Sequence, residues 1–338
     1  MANQSPSDRS KKTASSRYPE VLVKGPASGV HQQSFIILHG RGSDALTFGA
    51  VLLETPIPGY GNLASAFPNA KFIFPTASKR RARIYKRSLI NQWFDNWSLA
   101  TPEQYEELQN DGLRETSKYI HGLVKAEVEK VGASNVVLGG LSQGCAASLV
   151  SLLLWEGETL AAGVGMCGWL PYRKKMEAVL RNKDIGASSE DEDEDEGDDI
   201  FQRAGDDQNE PGEAAQGDKE QESNELNDLT AAATIKTDTS PVIKAVEFLR
   251  DEIEFPRTTH AAAPADLKLQ NIPLFLGHGV LDEKVSIDLG RSAAGFLEAM
   301  GVDVQWKEYA SLGHWYSEDM LRDMVLFLEA RTEWKVHR

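Results

Sequence analysis

Cysteine is almost absent from this sequence. Two residues, Cys145 and Cys167, in a chain of 338 can form neither a disulfide framework nor a four-cysteine metal centre. Long apolar runs are lacking too: the longest, residues 146–155, is too short to span a bilayer and is interrupted by Ser148 and Ser151. The opening Met-Ala-Asn-Gln-Ser-Pro has no apolar core of the kind a secretion signal needs. A basic surplus is also missing. Lys and Arg number 36 against 51 Asp and Glu, for a net charge of -15. Nucleic acid and anionic membrane surfaces repel such a chain, which argues against them as main partners. These absences together read as a soluble, cytoplasmic protein without a transmembrane segment.

The acidity is concentrated in one place. Residues 190–228 hold 18 acidic and 2 basic side chains, a net of -16, so the remainder carries -15 minus -16, or +1. The run from Glu190 to Glu196 cannot bury itself, and Gln, Asn, Gly and Glu follow it. Residues 182–240 therefore read as a disordered acidic insertion. Residues 1–30, rich in Ser, Lys and Pro, read as a flexible N-terminal segment. Elsewhere short unbroken apolar runs alternate with helical periodicity. The runs predict strands over 34–38, 71–74, 135–138, 161–166, 272–276 and 302–309, and helices over 102–131, 143–155, 242–253, 286–300 and 317–330. Strands without a polar face, each followed by a helix, predict a mostly parallel sheet covered on both faces. The insertion would then split a single α/β domain made of residues 31–181 and 241–334.

The sharpest local signal is Gly140-Leu141-Ser142-Gln143-Gly144. Alone, a G-x-S-x-G would arise by chance in very roughly one chain in ten of this length. Here it lies between a predicted strand and a predicted helix, the setting of a nucleophile elbow. Small neighbours let strand and helix close on a strained turn, which holds the serine clear of the sheet edge. A serine hydroxyl is a weak nucleophile and needs a base. Of the histidines after Ser142, His314 in Ser311-Leu-Gly-His-Trp315 occupies a loop between the last strand and the last helix, where a base can reach the strand ends. His278 precedes the best acid and so falls in the wrong chain order for the base. That acid is Asp282, on the loop after a buried strand, with Glu283 the alternative by spacing alone. It would fix the imidazole tautomer and stabilise the imidazolium. An oxyanion hole would come from the backbone N–H groups of Gln143, next to the nucleophile, and of Arg41 in the Gly-rich loop after the first strand. Cys145, in the first turn of the following helix, reads as a small packed residue.

As an ordered set these motifs resemble the acyl-protein thioesterase / carboxylesterase–phospholipase family of α/β-hydrolases. The matches are Leu38-His39-Gly40-Arg41-Gly42, Trp93-Phe94-Asp95, Gly140-Leu141-Ser142-Gln143-Gly144-Cys145, Trp169-Leu170-Pro171, His278-Gly279-Val280-Leu281-Asp282-Glu283-Lys284-Val285 and Gly313-His314. They cover about residues 34–175 and 270–330. The resemblance implies a serine hydrolase of the α/β-hydrolase fold that uses no metal or organic cofactor. It implies as substrates S-acylated proteins or small acyl esters and lysophospholipids, with transient membrane contact. Trp93, Phe94 and Trp169 are the candidates it offers for an apolar substrate groove. Leu141, Cys145 and Arg41 depart from the family's usual Phe, Gly and apolar residue. The large insertion lies where the family has a short link.

One motif stands outside this scheme. Residues 79–87 hold six basic side chains in nine, a solvated loop or a nuclear-import-like patch. A pairing with the acidic insertion that gates entry is a further expectation. The alternative for the whole chain is a catalytically inactive hydrolase fold that docks partners through its acidic segment.

Overall fold

The structure is a computed structural model and describes residues 18–182, 240–257 and 267–338. Most of the N-terminal lead-in (residues 1–17) and of the acidic insertion (183–239), together with residues 258–266, lie outside the described residues. A seven-stranded sheet organises the rest. Its strands are β1 (Leu22–Lys24), β2 (Gln33–Leu38), β3 (Ala70–Phe74), β6 (Val136–Leu141), β7 (Ala162–Met166), β8 (Leu274–Gly279) and β9 (Val304–Tyr309), in the order β1-β3-β2-β6-β7-β8-β9. Only β1 runs antiparallel to its neighbour. A separate antiparallel hairpin is formed by β4 (Lys79–Ala82) and β5 (Ser88–Asn91).

The unbroken apolar runs serve two cores at once. Side chains alternate across a strand, so Phe35 and Ile37 of β2 enter one core while Ile36 and Leu38 enter the other. The first core is completed by α1 (Ala45–Glu54), α2 (Leu63–Ala66) and α8 (Glu318–Arg331). The second takes α3 (Asn110–Val131), α4 (Gln143–Leu153), α6 (Pro241–Glu252) and α7 (Ile287–Ala299), with Met176 of α5 (Arg173–Leu180). This is the mostly parallel, doubly covered sheet that the alternation predicts.

The differences from the sequence reading are local. Strand β1 lies inside the stretch expected to be a flexible lead-in: its Leu22, Val23 and Lys24 pair with Phe74, Ile73 and Phe72. Three partly exposed residues leave no pattern, and β1 exists because β3 offers it an open edge. The helix expected from Pro102 begins at Asn110, after a 3₁₀ turn at Glu106–Gln109. The basic run 79–87 is the β4–β5 hairpin, and Arg80 in it pairs with Glu115 of α3 at 2.6 Å. Among the described residues no helix is long and apolar enough to cross a membrane.

Candidate active site

Strand β6 ends at Leu141 and α4 starts at Gln143, so a single residue makes the corner. That residue, Ser142, has φ 57° and ψ -120°, a conformation that costs a non-glycine residue of order 1–3 kcal/mol. Its N–H donates to Met166 O of β7 at 2.8 Å, which ties the corner to the neighbouring strand. The flanking glycines are required by backbone approach. A Cβ on Gly140 would lie 2.5 Å from the carbonyl carbon of Gly144, and one on Gly144 would lie 2.6 Å from His39 O. Cys145 packs behind the corner, its sulfur filling space beside Gly165 and Gly168. Burial pushes its thiol up to about 12, with the neighbouring Cys167 adding to the shift. It is a packing residue there.

Three strand ends bring the polar side chains together. Ser142 Oγ lies 2.9 Å from His314 Nε2, and His314 Nδ1 lies 2.7 Å from Asp282 Oδ2. A carboxylate only accepts, so the Nδ1 of His314 carries the proton and its Nε2 is free to accept from the serine hydroxyl. The Asp282 side chain is buried, and its Oδ1 accepts the N–H groups of Lys284 and Val285, both at 2.9 Å. Burial raises the carboxyl's pKa, but hydrogen bonds from His278, His314 and the Val285 N–H outweigh it and hold the group well below the carboxylate range. Glu283 is exposed, which leaves Asp282 as the acid that faces the imidazole.

Two further side chains stand behind this relay, and neither was assigned a role from the sequence. His278 Nε2 is 3.0 Å from Val285 O and 3.1 Å from Asp282 Oδ2. The carbonyl can only accept, so this Nε2 is protonated and donates to both. Chain order excludes His278 as the base but says nothing against it as a second donor to the acid. Its place four residues before Asp282 in His278-Gly-Val-Leu-Asp282 was the available signal. Cys167 is fully buried at the end of β7 with φ 50°. Its thiol donates to Trp315 O at 3.1 Å, beside His314. Burial pushes that thiol up to about 12, with the Gly279 backbone opposing the shift and the charge of Asp282 adding to it. Cys167, His278 and Asp282 bring three metal-ligating atoms within 4.8 Å of one another. All three are engaged in the hydrogen bonds just given.

The loop after β2 approaches the same corner. Gly40 faces Ser142: a Cβ on it would stand in ordinary contact, 3.5 Å from Ser142 Cβ. Gly42 takes φ 81° and donates its N–H to Asn91 O of β5 at 2.8 Å, while Asn91 Nδ2 donates to Ser43 O at 3.0 Å. Neither the Arg41 nor the Gln143 N–H donates to another backbone carbonyl among the described residues. The Gln143 side chain is pinned: its Oε1 accepts Trp93 N–H at 3.0 Å and its Nε2 donates to Phe94 O at 2.7 Å. Trp93 Nε1 donates to His39 O at 2.8 Å. Trp93, Phe94 and Trp169 are 0, 0 and 2% exposed. They pack beneath the corner, and Trp169 also lines a small cavity with Pro102, Glu103 and Glu106. Exposed apolar side chains next in sequence to the relay residues are Leu281 and Trp315, with Val280 exposed beside Leu281.

A family model described as Phospholipase/Carboxylesterase matches residues 22–189 and 253–332. The chain belongs to this family. Among its curated relatives, acyl-protein thioesterase 1 of Cryptococcus neoformans is 30% identical over 158 residues, 46% of this chain and 63% of that protein. Carboxylesterase SOBER1 of Arabidopsis thaliana is 29% identical over 118 residues, 33% of this chain and 49% of the relative. The chain thus spans less than two thirds of the length of these relatives. Among solved structures, Zea mays acyl-protein thioesterase 2 superposes with a TM-score of 0.59 at 21% identity, covering 93% of this chain and 99% of the other. Arabidopsis SOBER1 gives 0.54 at 18% identity, covering 89% and 99%. These likenesses establish the α/β-hydrolase fold for this phospholipase/carboxylesterase family member.

Proposed function

We propose that the chain is a serine hydrolase that cleaves carboxylic esters or thioesters through an acyl-enzyme. The observation that carries this reading is the continuous hydrogen-bond relay from Ser142 through His314 to Asp282. In the first half-reaction Ser142 Oγ attacks the acyl carbon as His314 Nε2 takes its proton, and Asp282 stabilises the imidazolium. The backbone N–H groups of Arg41 and Gln143 receive the oxyanion, each worth about 3–4 kcal/mol of the barrier. The bond to the alcohol or thiol then breaks, and the leaving group takes the proton from His314. In the second half water attacks the acyl-serine, gives a proton to His314, and releases the carboxylic acid and free Ser142.

The substrate class follows the relatives: S-acylated protein cysteines, or small carboxylic and lysophospholipid esters. Exposed Leu281 and Trp315 offer an acyl chain its first apolar contact. We assign the catalytic domain to residues 31–181 and 241–334, with the protein acting in the cytoplasm. A fluorophosphonate probe tests the reading. Labelling of the wild type and none of Ser142→Ala is expected. No labelling of the wild type would overturn it in favour of a docking protein. A chain-length series of p-nitrophenyl esters and acyl-thioester peptides then separates ester from thioester preference.

A further inference from the structure

The side chain of Arg41 has no part in the relay, and the proposed hydrolysis uses only its backbone N–H. Its guanidinium packs over the ring of Tyr85, 5.7 Å from the centroid, under the β4–β5 hairpin. Its Nη1 is sealed from solvent and has no hydrogen-bond partner. Among the described residues no carboxylate lies within ion-pair distance of the group. The carboxylate whose charge does reach it, Asp95, is committed elsewhere. It accepts Arg83 N–H at 3.1 Å and Gln92 Nε2 at 3.4 Å, and lies 4.0 Å from Arg83 Nε. Burial works against the charged guanidinium, with Tyr85 and Asp95 opposing that effect. A half-buried cation without a counter-ion is costly to keep, and proteins pair such groups or use them.

Its place in the chain says what the use is. Arg41 follows Gly40, where an added Cβ would touch Ser142, and precedes Gly42, which is bonded to the hairpin. Its side chain therefore starts beside the nucleophile corner and ends over Tyr85 of the hairpin turn. Its planar fork suits a carboxylate or similar oxyanion. The flanking hairpin adds Lys79, Arg81, Arg83, Lys86 and Arg87, all exposed.

We propose that Arg41 is a specificity-determining residue that selects substrates carrying an anionic group close to the scissile carbonyl. This rests on the hydrolase reading above. The anion belongs to the acyl group or to the leaving alcohol or thiol, and the same chemistry serves both.

Two matched thioester pairs test it, with thiol release as the readout. On the acyl side, the glutaryl thioester of 2-mercaptoethanol is compared with its glutaramoyl analogue. On the leaving side, the pentanoyl thioester of 3-mercaptopropionic acid is compared with that of its amide. The wild type should favour the acid over the amide in one pair by about tenfold or more in kcat/KM, and Arg41→Leu should bring that ratio close to one. Arg41→Lys should retain part of it. Because the readout is a ratio, a disturbed oxyanion loop cancels. If the Leu variant does not fold, free glutarate should inhibit the wild type competitively more strongly than glutaramide. Turnover of the amides with ratios of one throughout, or an equal fall for acid and amide in Arg41→Leu, overturns the proposal and leaves the hydrolase reading standing. No turnover of any thioester or ester overturns both.

Discussion

Asp282 is gripped by more donors than orientation of one imidazole requires. It receives His314, His278 and two backbone N–H groups. Removing His278 leaves the carboxylate in place but lets it turn. His278→Asn should therefore lower kcat by on the order of tenfold with little change in KM, as small misplacements in a relay do. Stopped assays at saturating substrate check this, and an unchanged kcat would show that the backbone donors suffice. The thiol of Cys167 steadies the other side of the relay through Trp315 O. Cys167→Ser, which keeps a donor, should retain more activity than Cys167→Ala. At this scale the sequence was legible for chemistry and poor for support. Ser142, Asp282 and His314 could be put forward because a G-x-S-x-G lies between a strand and a helix, histidines number only seven, and acid and base follow the serine in a defined chain order. His278, Cys167 and the buried Trp93 could not, because a supporting role depends on what a side chain touches. Trp93, Phe94 and Trp169 look apolar enough to line a groove, and only the structure shows how deeply they are packed.

At the scale of elements, the corner between β6 and α4 depends on two backbone segments meeting: the corner itself and the end of β2 with the loop after it. The Cβ of Gly144→Ala would run into Leu38 O and His39 O, neither of which can move without dragging β2. That substitution should cost about 1–3 kcal/mol or more, read as a lower unfolding midpoint together with loss of activity. Trp93→Phe removes the bond to His39 O and should lower kcat more than it lowers the midpoint. The elements that were readable in advance are those whose residues repeat a pattern: β2, β6 and β8 as apolar runs, and α3 and α7 as amphipathic helices. The β4–β5 hairpin was not. Lys79-Arg-Arg-Ala82 has no apolar alternation, and the strands form because Asn91 and Gln92 are bonded to Gly42 and Ser78. Helix α3 starts late for a related reason. Pro102 permits a helix start, but the 3₁₀ turn buries Glu106, where Lys175 of α5 meets it at 3.0 Å.

For the molecule as a whole, pH acts through buried groups far from the relay. His121 of α3 donates from Nε2 to Ser151 O at 2.7 Å between the rings of Trp155 and Phe255. Burial pushes its pKa down to about 4, and Lys125 and Arg250 act in the same direction. The unfolded chain takes up this proton near pH 6.5 and the folded chain only near 4, so stability falls as the pH drops between those values. The loss attributable to His121 is about 3 kcal/mol at most. Urea unfolding at pH 7 and pH 4.5 should show it, and His121→Phe should reduce the difference. Asp282 is shifted in the same direction for the opposite reason, since its charged form is favoured by the hydrogen bonds it accepts. Its depressed pKa adds stability above the ordinary carboxylate range, and the contribution is lost only as the pH falls below it.

The order of the strands has one more consequence. Ser142 and the oxyanion loop are encoded before residue 183, whereas Asp282 and His314 are encoded after residue 239. Helices α5 and α6, which bracket that interval, pack against each other, and β7 lies beside β8. Cutting the gene in the interval would yield two polypeptides, each mute by itself, one carrying the nucleophile and the other its proton acceptor. Coexpressed, they should dock along the β7–β8 seam and restore turnover by complementation, a split hydrolase whose signal reports the meeting of its halves.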